Sequence, residues 1–126
     1  MYLGKVIALV LGLWLTATAP AWAQESCVLI QGAMDMEVRT LVERLEEPQT
    51  VVLAGWTYWQ GHIGSQKVVV SQTKVGTTNA AAATLLGIQR FSPTVIVNQG
   101  TAGGYPAWLH KGDLIIGETI TNAGAV

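Results

Sequence analysis

The run Val95-Ile96-Val97-Asn98 passes without a break into Gln99-Gly100-Thr101-Ala102-Gly103-Gly104. An unalternating Val/Ile run marks a strand buried on both faces, and such strands belong to parallel sheets covered by helices. In open α/β sheets, ligands bind outside the carboxyl ends of the strands. The stretch therefore reads as a buried strand that leads into the floor of a pocket, and it commits the chain to a layered α/β fold.

Two other stretches repeat this pattern. Cys27-Val28-Leu29-Ile30 runs into Gln31-Gly32-Ala33-Met34-Asp35-Met36-Glu37, and a strand ending at Gln72 runs into Thr73-Lys74-Val75-Gly76-Thr77. In one parallel sheet the three turns lie side by side. Their glycines let a ligand approach the backbone and leave amides free to donate. None of them is a G-x-G-x-x-G or G-x-x-x-x-G-K-[ST] motif, so the nucleotide fingerprints are absent.

Between these turns the hydrophobic period changes. From Met34 onward, Val38, Leu41, Val42 and Leu45 fall at helical spacing, with Arg39, Glu43, Arg44 and Glu46 opposite, and Glu47-Pro48 is expected to end the helix. Thr50 to Ala54, Thr57 to Ile63 and Lys67 to Gln72 read as an antiparallel meander in which Trp56, Tyr58 and Trp59 pack across strands. Thr77 or Thr78 is the expected N-cap of a helix through Ala80 to Leu86, stopped by Phe91-Ser92-Pro93. Thr94 to Asn98 is the next strand, Tyr105 to Asp113 a loop, and Leu114 to Thr119 a last strand. The layered architecture needs a helix over that last strand, so the 126 residues read as cut short relative to a complete domain.

Residues 1–23 stand apart. Lys5 supplies a positive end, Val6 to Leu15 is almost wholly apolar, and Ala21-Trp22-Ala23 is an A-x-A cleavage site. The apolar run is well short of the ~20 residues that span a bilayer. The expected product is a periplasmic or secreted domain over 24–126, free of the membrane once the leader is cleaved. With 50% apolar and 12% charged residues it has ample material for a core. The net charge of −1 becomes −2 without Lys5, and no basic cluster exists, which argues against nucleic acid as a partner. Cys27 is the only cysteine, which excludes an intrachain disulfide and a thiolate zinc site. His62 and His110 lack the short spacing of a zinc helix and read as surface residues, so no metal or cofactor is expected.

Glu37 is the ionisable group that stands out, in the first turn of a helix starting at a strand end. It can be a general base facing the crevice or a partner for the helix dipole, and position alone favours the second. Asp35 reads as the better N-cap. No G-x-S-x-G elbow supports a serine nucleophile.

At these same turns the sequence resembles the 5′-methylthioadenosine/S-adenosylhomocysteine nucleosidases. IQGAMDMEV at 30–38 is similar to their IIGAMEEEV, VGTTNAA at 75–81 to IGKVNAA, VNQGTAGG at 97–104 to INTGSAGG, and LHKGDLIIGE at 109–118 to LKVGDIVVS. The blocks fall in the family's order and cover about the first half of its domain. The resemblance implies a three-layer α/β/α domain with a mixed central sheet, a homodimer when complete, and hydrolysis of the N-glycosidic bond of a purine nucleoside without a cofactor. It makes Glu37 the acid that activates water. It places Ala33 and Met34 on pocket-lining positions, Val75 on the ribose side, and Thr101, Ala102 and Gly103 beside nucleoside and water. Gln31 departs from an apolar residue, Lys74 from a glycine and Thr77 from a lysine, while Thr101 keeps the hydroxyl of a serine. Residues 119–126 do not follow the usual continuation, and the later residues that bind the ribose hydroxyls and protonate adenine are missing. The alternatives are a phosphate-dependent nucleoside phosphorylase, with Lys74 near the anion, and a non-catalytic nucleoside-binding protein.

Overall fold

Alternation along the strands sorts the core into two layers. In the computed structural model, which describes residues 25–121, β1 (Cys27–Gly32) sends Cys27 and Leu29 to one face of a sheet and Ile30 to the other. α1 (Asp35–Glu43) follows, then the meander β2 (Glu46–Leu53), β3 (Trp56–Ile63) and β4 (Gln66–Gln72), then α2 (Thr77–Phe91) and β5 (Val95–Asn98). The sheet order is β2-β3-β4-β1-β5, antiparallel through β2, β3 and β4 and parallel through β4, β1 and β5.

Cys27, Leu29, Tyr58 and Val69 form one buried cluster, covered by Leu86 and Phe91 of α2. Val38 of α1 packs on the opposite face with Leu45, Val68 and Val70. One helix thus covers each face, giving the α/β/α layering and the mixed sheet. The aromatic strand β3 belongs to this packing: Tyr58 is fully buried and its hydroxyl donates to the Ala83 carbonyl at 2.6 Å, while Trp56 Nε1 donates to the Thr73 carbonyl at 3.0 Å.

Four expectations are corrected. The first helix ends at Glu43, not at Glu47-Pro48, because the amides of Arg44 and Leu45 close back on Leu41 and Val42 in tight i→i+3 bonds. Leu45 lies beyond the helix yet still buries in the α1 layer. Pro48 falls inside β2, where an edge position and a register irregularity between Glu46 and Gln49 tolerate its missing N–H. The cap of α2 is Gly76, with φ +107 and no side-chain cap bond, so Thr77 is already helical and neither threonine caps.

The third correction concerns β5, expected to be buried on both faces. It pairs only with β1, forms the edge of the sheet, and leaves Val95, Ile96 and Val97 exposed. Among the described residues the helices lie over β1, β3 and β4 instead. The fourth is Leu114 to Thr119, which is exposed and forms no strand, having no ladder partner among the described residues. The leader expected over 1–23 lies outside the described residues. Among the described residues, no helix is long and apolar enough to cross a membrane.

Candidate active site

Parallel pairing of β4, β1 and β5 brings their carboxyl ends together, so the three polar turns meet as the sequence implied. Backbone bonds lock them: Thr73 N donates to the Gly32 carbonyl at 2.9 Å and Gln99 N to the Gln31 carbonyl at 2.9 Å.

Glu37 stands at this junction. Its Oε2 accepts from Ala33 N at 2.8 Å and Met34 N at 3.0 Å, two amides left free at the start of α1. Its Oε1 accepts from Thr101 N at 2.9 Å and Thr101 Oγ1 at 3.1 Å, across the crevice. One oxygen thus serves the helix start, as the dipole reading expects, and the other is bonded to the β5 turn. Asp35, expected as the cap, is instead the first helical residue and pairs with Arg39, while Met34 occupies the cap position.

These bonds set the charge. The Thr101 amide, then the Met34 amide, hold the Glu37 carboxyl below the ordinary glutamate range despite some desolvation, with the Thr101 hydroxyl and Ala33 amide adding to the effect. Hydrogen bonds to the ionised form favour it. Close approach also requires glycine at 100, since a Cβ there would lie 2.8 Å from Glu37 Oε1.

The other expected site residues divide. Ala33 and Met34 touch Glu37 through their amides. Thr101, Ala102 and Gly103 line an open crevice of about 710 Å³ formed wholly by residues 100–115, among them Tyr105, Leu109 and Leu114; Glu37, Ala33 and Met34 border it only through Thr101 and do not line it. Val75 is the outlier. Lys74 at φ +65 and Gly76 at φ +107 flank Val75 at the entry to α2, and its side chain is exposed. Lys74 thus occupies a left-handed conformation that favours glycine, and its ammonium lies 5.7 Å over the Trp56 ring.

Sequence reasoning passed over Gln99, although it lies inside the turn singled out first. Its side-chain Nε2 donates to the Glu37 main-chain carbonyl at 2.8 Å. The available signal was its place one residue after a strand and two before Thr101.

Comparison with known proteins identifies the family and the fold. Residues 28–125 match the family model of the phosphorylase superfamily. The chain is 39% identical over 87 residues to a 5′-methylthioadenosine/S-adenosylhomocysteine nucleosidase of Psychromonas ingrahamii, a match covering 69% of this chain and 38% of that protein. The structure is similar to a nucleosidase of the same description from Colwellia psychrerythraea in complex with adenine, at TM-score 0.66 and 39% identity, covering 69% of this chain and 36% of that one. A Streptococcus pneumoniae nucleosidase with a transition-state inhibitor superposes at TM-score 0.67 and 30% identity, covering 69% and 38%. The chain thus spans about two-fifths of the length of the curated relatives it matches.

Proposed function

Because the chain belongs to the phosphorylase superfamily, we propose that its crevice takes a purine nucleoside and serves hydrolysis of the N-glycosidic bond in 5′-methylthioadenosine, S-adenosylhomocysteine or a close analogue. The observation that carries this is the ionised Glu37 carboxylate, held between the α1 amides and Thr101 where three parallel strands end. The names of the related nucleosidases, one of them bound to adenine, support the substrate class. Reading residues 1–23 as an export leader places the reaction outside the cytoplasm.

As the C1′–N bond breaks, its electron pair leaves with the base, which takes a proton from solvent, and C1′ becomes oxocarbenium-like. Water attacks C1′, and its proton passes to Glu37. A carboxylate below the ordinary range is ionised at neutral pH, and it takes that proton as bonding to C1′ makes the water acidic. Nothing in this step needs phosphate. A phosphate-dependent reading leans on Lys74, whose ammonium lies against Trp56.

Chromatography of 5′-methylthioadenosine incubated with the complete gene product tests the reading. The expected result is release of free adenine at equal rates with and without inorganic phosphate. Strict phosphate dependence with a ribose 1-phosphate product would transfer the assignment to the phosphorylases, and tight binding without turnover would make this a nucleoside-binding protein.

A further inference from the structure

Glu37 has no free acceptor position. A carboxylate offers about four lone-pair sites, and here Ala33 N, Met34 N, Thr101 N and Thr101 Oγ1 take all four. A water that gives its proton to this carboxylate must displace one of these donors. The two amides on Oε2 belong to the first turn of the same helix, whereas Thr101 is exposed and comes from a turn far along the chain. Thr101 is the donor that can yield, and a second attachment must then keep the β5 turn beside Glu37.

Gln99 is built for that attachment. From Thr94 to Trp108 it is the one residue that is not exposed. Its amide reaches across the end of β1 to the Glu37 carbonyl at 2.8 Å, while its own N–H is bonded to the Gln31 carbonyl. The passage exists because residue 32 is glycine: a Cβ there would lie 3.1 Å from Gln99 Nε2 and 2.7 Å from Val38 Cγ1. A carbonyl has two lone pairs, so the Glu37 carbonyl can accept from Gln99 without leaving the helix ladder. We propose that Gln99 is a positioning residue: it fixes the main chain of Glu37 to the β5 turn, so that Thr101 can release the carboxylate to water and substrate without the crevice coming apart. The inference rests on the reading of Glu37 as the base that activates water.

The test follows the Glu37 carboxyl carbon by NMR titration in the 126-residue chain, comparing wild type with Gln99→Met and Gln99→Thr. Methionine keeps the length and loses the donor; threonine is too short to reach. Without the Gln99 bond the Thr101 contacts loosen, and because the Thr101 amide is the main influence lowering this pKa, both variants are expected to titrate at higher pH than wild type. Tm should move by no more than about 5 °C, and adenine release should fall through kcat with KM little changed. Unchanged Glu37 titration in both variants would overturn the proposal. If neither variant folds, the Gln99 side-chain amide in wild type decides: slowed hydrogen exchange supports the bond, and free exchange rejects it. A complete gene product that releases no adenine, while the 126-residue chain still shows the titration difference, would reject the nucleosidase reading and leave the Gln99 attachment standing.

Discussion

Glu37→Gln is expected to lower adenine release by about 10²–10⁴-fold, the range for loss of a positioned general base. The amide cannot take a proton from water. It also cannot satisfy the four donors now pointed at the carboxylate, because its NH₂ must face either the Ala33 and Met34 amides or the Thr101 amide and hydroxyl. The variant should therefore lose stability as well as activity, with a sign fixed by the carboxyl's depressed pKa. A carboxyl lowered on folding stabilises the native state above its unfolded pKa, and that contribution fades as pH falls through the unfolded value toward the folded one. The stability gap between wild type and variant is thus widest at neutral pH and narrows on acidification. Paired denaturation curves at neutral and acidic pH, with chromatographic assay of base release, check both halves. A gap that widens in acid would contradict the assigned bonds.

Leu29→Ala is expected to cost about 2–5 kcal/mol, a large share of the ~5–15 kcal/mol that holds a domain folded. Leu29 is fully buried on β1, packed with Cys27, Tyr58 and Val69 beneath α2. The helix comes close because its facing residue is Gly87, where a Cβ would lie 2.9 Å from Leu29 Cδ2. The same contact predicts a rescue. With Leu29 truncated, Gly87→Ala meets space instead of a methyl group, fills part of the cavity and removes a helical glycine, worth ~1 kcal/mol by propensity alone. The double variant should be more stable than Leu29→Ala in urea denaturation, and a simple sum of two losses would show that the helix does not rest on Leu29.

These two sites differ in how far the sequence discloses them. Leu29 announces itself inside a continuous apolar run, and the meander and the junction of three strand ends are equally legible, because apolar runs and glycine placement are local signals. Glu37 stands out by its place at a helix start, but its bonds to Thr101, 64 residues away, depend on how the sheet brings the β5 turn against it. Gln99 escaped because a glutamine in a polar turn carries no pattern; its meaning is a bond to a main-chain carbonyl 62 residues away. The expectation for Val95 to Val97 failed on similar grounds. An apolar run signals a strand, but whether anything covers it depends on elements packed from elsewhere, and among the described residues none lies over β5. Pro48 misled by marking a bulge in an edge strand with the residue that more often marks a helix end.

The site itself is tested most directly by titrating adenine into ¹⁵N-labelled protein and following backbone amide shifts residue by residue. The assignment predicts saturable shifts at Ala33, Met34 and Glu37 together with Thr101, Ala102 and Gly103, since ligand binding must disturb the amides that hold the carboxylate. Shifts confined to the polar groove of Glu47, Gln60 and His62, or no shift at saturating adenine, would contradict it.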